Sequence, residues 1–212
     1  RRIGRALAHV KSVGRLRDPV ERAWAADGHH VRLGRATLPC GEHLLRETSN
    51  TLRFGRYLEA LRPWYDGFPR ENILPLTFEQ YVGNRESSLR RVCAHIGVEC
   101  DAAPTHPPRN SASIPLSHAA QLAANRVAIQ MGAVPRTIAH RTPPTARLHT
   151  ELVASRLVRG FKKVNQLAAE LARVKRPRMD TATRERLIQY YRRENRGLDQ
   201  LTGLDLSAWS IG

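Results

Sequence analysis

Arg17 stands directly before Asp18-Pro19, and Lys175-Arg176 with Arg178 forms a second basic stretch just ahead of Met179-Asp180. These are the residues whose types point most directly to chemistry, and that chemistry is the holding of anions. The whole chain leans the same way. Of its 35 basic side chains only four are lysine (Lys11, Lys162, Lys163 and Lys175), which leaves 31 arginines against 19 acidic groups and a formal charge of +16. Such a surface favours polyanions: nucleic acid, a phosphorylated cofactor, an anionic glycan or an acidic membrane face. Arginine-rich coding in a GC-rich genome accounts for the same excess, so charge alone names no ligand. Taken singly, Arg17 also reads as a helix-capping or ion-pairing surface residue, and Lys175-Arg176 as a solvated loop.

The other reactive residue types do not form a site. His29 and His30 are adjacent, yet no Asp, Glu or Cys lies at zinc-ligand spacing around them, and a loop position is expected. Asp66, Glu71 and Glu79 lack the spacing of an acid–base pair. Cys40, Cys93 and Cys100 are odd in number and contain no CxxC, which argues against a disulfide scaffold or a cysteine-rich zinc site. A cytoplasmic location and no metal are expected. No window approaches the roughly eighteen apolar residues of a membrane span. Tyr57 and Trp64, seven residues apart, share one helix face and are expected to anchor a core.

The elements that position these residues are legible in part. Residues 1–9 read as a helix end. Val10–Leu16 reads as a short strand; Asp18 is a good N-cap and Pro19 suits a first helical turn, so a helix should start there and stop near Gly28-His29. Apolar periodicity predicts helices over about 41–50 and 55–66. Phe68-Pro69 marks a turn, and Ile73–Phe78 reads as a buried strand in which Pro75 argues against hydrogen bonding on both edges. Residues 86–97 read as a helix with Leu89, Val92, Cys93 and Ile96 on one face and Gly97 as its stop. Residues 101–146 form a Pro/Ser-rich connecting region expected to be largely irregular, with a helix within it over 116–131. Residues 147–174 suggest basic helices, and a last helix opens at Asp180-Thr181 and keeps its period through Leu187, Tyr190, Tyr191, Asn195 and Leu198 to Gly203. The class is α/β with an α-rich C-terminal part.

Three stretches together resemble the sulfotransferases that use 3′-phosphoadenosine 5′-phosphosulfate (PAPS). Arg15-Leu16-Arg17-Asp18-Pro19 through Trp24 is similar to the family's 3′-phosphate motif, a strand ending in R-[DN]-P followed by a helix. Gly55-Arg56-Tyr57 through Leu61 and Trp64, then Phe68-Pro69 and Ile73–Glu79, is similar to a G-x-Y-x-x-x-L-x-x-W helix, an F-P turn and a strand ending in an acidic residue; Arg90–Val98 matches the helix that follows. Arg176–Asp180, then Tyr190-Tyr191, Asn195, Leu198 and Trp209, resembles a basic loop, M-D, a Y-x-x-x-N-x-x-L helix and a final tryptophan. The order and spacing of the three carry the resemblance, whereas R-D-P alone is weak.

The resemblance implies a single partial sulfotransferase-like domain over 1–212. Its fold would be the P-loop nucleotide-hydrolase-like parallel sheet flanked by helices. It implies transfer of a sulfuryl group from PAPS to an acceptor hydroxyl or amine, with a carbohydrate acceptor as the branch it leans to. Arg17 would take the 3′-phosphate, where a strand-end arginine and the amides of a helix N-terminus suit a dianion. Lys175 and Arg176 would close over the cofactor. The departures are equally definite. No G-x-x-x-x-G-K or K-x-G-T-[ST] string occurs, so the chain is expected to be a fragment lacking the first strand, the phosphate loop and the usual catalytic base, and no catalytic residue is assigned. Ala25 stands where the family has a serine, which removes one phosphate hydrogen bond worth roughly 1.5–3 kcal/mol. The alternatives are an inactive remnant of the fold and, with less support, a basic nucleic-acid-binding protein, for which no recognition string is present.

Overall fold

A computed structural model describes residues 10–32, 41, 42, 44, 50–100, 117–130, 160, 163, 164 and 178–212. Arg1–Arg22, Leu52–Arg109 and Thr181–Gly212 form one compact unit, and Ala23–Thr51 with Asn110–Asp180 a second.

β1 (Ser12–Leu16), in the first unit, leads into α1 (Pro19–Arg32), whose residues from Ala23 on belong to the second. Asp18 caps that helix, accepting from the Val20 amide at 2.9 Å. The helix does not stop at Gly28-His29 but runs on to Arg32. Its buried face explains why: Val20, Ala23, Trp24, Asp27 and Val31 recur at helical spacing, and burial along that stripe outweighs the roughly 1 kcal/mol that a helical glycine costs. His29 and His30 are therefore helical rather than in a loop.

The region predicted as one helix over 41–50 differs. Residues 41, 42 and 44 are turn, residues 43 and 45–49 lie outside the described residues, and a single helical turn, α2, spans Asn50–Arg53. After it come α3 (Tyr57–Gly67), a 3-10 turn over Arg70–Asn72, and β2 (Ile73–Thr77). β1 and β2 pair in parallel, with Gly14 opposite Pro75 and Leu16 opposite Thr77. Pro75 is accommodated because β2 has one hydrogen-bonded neighbour among the described residues, so one edge needs no donors. Thr77 then closes the strand and caps α4 (Phe78–Gly83) through a reciprocal capping box with Gln80. Phe78, expected to end the strand, instead opens this helix. α5 (Arg85–Ile96) ends at Gly97 as expected, although Ile96 is exposed rather than packed.

At the C-terminus α7 (Thr181–Glu194) and α8 (Leu198–Thr202) replace the one continuous helix predicted; α6 (His118–Gln130) belongs to the second unit. The break lies at Gly197, whose φ of 84° is left-handed. Breaking there lets the Asn195 side chain turn inward. Its amide donates to the Gly55 carbonyl at 2.9 Å and its carbonyl accepts from the Leu58 amide at 3.2 Å, which ties α7 to the start of α3.

Gly55 is required by packing at the same place: a Cβ there would lie 2.5 Å from the buried Tyr191 ring. The Tyr191 hydroxyl donates to the Leu52 carbonyl at 3.1 Å. Leu16, Tyr57, Leu198, Leu204 and Trp209 form the core between the strand end and the C-terminal helices. Trp64, expected to share this core with Tyr57, is 46% exposed and stacks on Phe68 at 5.5 Å. It sits a turn from the end of α3, beyond the reach of the core residues.

The second unit is held differently. Asn125 of α6 donates from its side chain to the Val31 carbonyl at 2.9 Å and accepts from the Gln121 amide at 3.0 Å, beside the contact of Val31 with Leu122. This helix realises the prediction over 116–131. The remaining stretches, 101–116 and 131–146 of the connecting region included, lie outside the described residues.

Two stability measurements follow. Gly55→Ala forces a methyl into the Tyr191 ring and is expected to lower stability by about 1–3 kcal/mol, read by urea denaturation. Burial raises the Tyr191 hydroxyl from its usual value to about 12, with the nearby Arg22 opposing. The folded state thus retains a proton that the unfolded chain releases near pH 10. This contribution is fully present below pH 10 and is lost as pH rises toward 12, at about 1.4 kcal/mol per pH unit. Tyr191→Phe should flatten that part of the alkaline unfolding profile while losing the bond to Leu52.

Candidate anion-binding site

The end of β1 sets the site. Arg15 and Arg17 alternate with the buried Leu16, so both side chains leave the strand on the side away from the core. The pairing of Leu16 with Thr77, followed by the helix start at Thr77, delivers the Phe78 ring to that same side. The Arg17 guanidinium carbon lies 4.9 Å from the Phe78 ring centroid. That of Arg15 lies 5.7 Å from Phe78 and 5.4 Å from Tyr81, one turn further along α4. These are cation–π distances. The Arg17 backbone is fixed from below, where the buried Tyr57 hydroxyl donates to its carbonyl at 2.9 Å. Burial raises the Tyr57 hydroxyl above its ordinary range, so it stays a proton donor.

The next residue faces inward. Asp18 is buried and both of its carboxylate oxygens are engaged. One caps α1 through Val20 at 2.9 Å and Glu21 at 3.4 Å. The other accepts from the Ser210 amide at 2.8 Å and the Ser210 hydroxyl at 2.7 Å. The Asp18 amide donates to Glu79 at 3.2 Å, and the second oxygen of Glu79 accepts from the Trp209 indole at 3.1 Å. Two carboxylates distant in sequence thus clasp the C-terminal segment to the strand ends. Sequence spacing did not reveal this pair, although each residue lies inside a recognised stretch, Asp18 after the arginine and Glu79 at the close of the strand.

This clasp corrects one expectation. The N-terminal amides of α1 were expected to face a phosphate. Pro19 has none, Val20 and Glu21 are capped by the Asp18 side chain, and Arg22 bonds the Asp18 carbonyl at 2.8 Å. The helix start is saturated from within, and what remains for an anion is the pair of arginines. Arg17 is where the sequence puts it, half-buried at the strand end. Ala25 lies on α1 and adds no polar atom. Lys175 and Arg176 lie outside the described residues, and Arg178 is exposed.

The geometry around Arg17-Asp18-Pro19 meets an independent comparison. Residues 2–102 match the family model described as the sulfotransferase family. That match spans just under half of the chain and supports a sulfotransferase-family domain over those residues. No curated protein sequence matches the chain. The matched segment contains β1, β2 and α1 to α5. Residues beyond it complete its packing: Tyr191, Asn195, Trp209 and Ser210 all bond to atoms within it. The parallel strands flanked by helices agree with the α/β class. Among the described residues no group of three or more His, Cys, Asp or Glu is placed to hold a metal, and no helix is long and apolar enough to cross a membrane.

The dual role of Asp18 is separable. Asp18→Asn keeps an oxygen for the cap but turns an N–H toward the Ser210 amide, so it should raise hydrogen exchange at Ser210 with little change in α1. Asp18→Ala loses the cap as well and should cost about 1–2 kcal/mol more, measured by thermal unfolding.

Proposed function

We propose that this sulfotransferase-family chain moves a sulfuryl group from PAPS to an acceptor hydroxyl or amine, a saccharide hydroxyl among them. The observation that carries the reading is Arg17: half-buried, at the end of a parallel strand, stacked on Phe78, and paired with no carboxylate among the described residues. Those properties fit a phosphate dianion, because the ring takes one face of the guanidinium and leaves its in-plane donors for ligand oxygens.

PAPS, when bound, supplies the sulfuryl group and a nucleotide leaving group. Arg17 holds the 3′-phosphate and so orients the nucleotide, a contribution of positioning and electrostatics. Lys175 and Arg176 belong to the proposal as the cationic groups that close over the nucleotide. Asp18 acts on the site only through structure, since its oxygens are consumed by α1 and Ser210.

The test is a thermal shift with adenosine 3′,5′-bisphosphate and with 5′-AMP. At about a hundred times the dissociation constant, a single site adds roughly 2.7 kcal/mol, which for a chain of this size is a rise of about 5–10 °C. The shift is expected with the bisphosphate, absent with 5′-AMP, and abolished by Arg17→Ala. A folded chain that ignores the bisphosphate is a non-binding remnant of the fold. Salt-sensitive binding to random-sequence DNA without a nucleotide response would favour the nucleic-acid reading.

A further inference from the structure

We infer that Arg15 is the second arm of a clamp in which Arg15 and Arg17 together grip one tetrahedral dianion, a terminal phosphate or a sulfate. The inference deepens the reading above at the same site and rests on it for the source of the phosphate. Arg15 lies outside the Arg17-Asp18-Pro19 motif, and its participation follows from its neighbours. Residues 15 and 17 leave β1 on one side, and both guanidinium groups lie within 6 Å of one ring: 5.7 Å for Arg15 and 4.9 Å for Arg17 from the Phe78 centroid. Tyr81 supports Arg15 from beside Phe78 at 5.4 Å. The rings attract the flat faces of the cations and restrict their rotamers, while the N–H groups at the edges stay open.

Neither guanidinium forms an ion pair with an acid among the described residues. Other arginines carry ion pairs, Arg56, Arg90, Arg184 and Arg193 among them. The nearest acids in sequence are committed elsewhere, Asp18 to α1 and Ser210 and Glu21 to Arg184, and Glu79 at the close of β2 is taken by Trp209 and the Asp18 amide. Two cations are thus gathered on one ring with no counter-charge among the described residues, an arrangement whose mutual repulsion a dianion between them removes. Two arginine forks suit the several oxygens of a phosphate better than the two of a carboxylate.

Titration calorimetry on the full chain tests the clamp, with adenosine 3′,5′-bisphosphate and inorganic phosphate as probes. Arg15→Ala is expected to weaken the bisphosphate about tenfold or more, the loss typical of a charge-assisted contact. Arg15→Lys should recover part of that loss, because charge returns without the fork. Arg91→Ala, an exposed arginine on α5, controls for net charge and should change nothing. The loss in the Arg15/Arg17 double variant should fall short of the product of the single losses, as it must when both arms hold one ion. Equal affinity for inorganic phosphate and the bisphosphate, with both sensitive to Arg15, supports the clamp and removes the nucleotide reading. Loss on Arg17→Ala with none on Arg15→Ala overturns the clamp and leaves the nucleotide reading standing. Absence of phosphate binding by the unaltered chain overturns the clamp as well.

Discussion

The buried carboxylate of Asp18 is the constraint on which the strand-end region depends. A carboxylate out of water carries a penalty of several kcal/mol unless its lone pairs are met. Here four donors meet them: the amides of Val20 and Glu21, and the amide and hydroxyl of Ser210. Two belong to the helix the residue starts, and two lie 192 positions away in the chain. One side chain therefore sets the direction of α1 and ties the end of the chain to the end of β1. The Glu79 bond to Trp209 reinforces the tie from β2, and Trp209 in turn completes the core with Leu16 and Tyr57.

Several residues that carry the family resemblance have structural work that explains their type. Gly55 is bare because the Tyr191 ring fills the place of its Cβ. Tyr191 and Asn195, one helical turn apart, reach back to the Leu52 and Gly55 carbonyls. Tyr57 supports the Arg17 carbonyl. The pattern G-x-Y in one half and Y-x-x-x-N in the other is thus a single packing arrangement seen from two sides. Arg17 stands apart from these: its backbone is held by the core, but its guanidinium has an aromatic ring for company and no acid among the described residues. A cation that the fold holds in place and leaves without a counter-ion is better suited to a ligand than to stability.

How much of this was legible in the sequence follows the range of each interaction. β1, the start of α1, α3, the Phe68-Pro69 turn, β2 and the Gly97 stop depend on residues within a few positions, and local patterns recovered them. The continuation of α1 past Gly28 depends on the burial of Asp27 and Val31, which periodicity supports but the glycine masks. The break at Gly197 depends on where Asn195 must point, which is decided by Gly55 and Leu58 on the far side of the chain. Trp64 has the right phase for the core, yet the core ends before reaching it. At the site itself Arg17 was legible from its motif, whereas the Asp18–Glu79 clasp and the stacking of Arg15 needed the register of two strands.

That register also decides what the site can be. Had β2 slipped by one residue, Phe78 would project from the opposite face and the two arginines would extend freely into solvent. Free arginines at a surface lose rotamer entropy when they bind, roughly 2 kcal/mol each. Stacked on Phe78 and Tyr81 they have lost part of it already. The saturated start of α1 makes this matter more, because the helix dipole has no open amide to offer and the guanidinium edges alone remain. Specificity at such a site comes from what two forks beside one ring can reach together. A compact dianion would need both forks at once, whereas an extended polyanion is attracted by the net charge without needing them together.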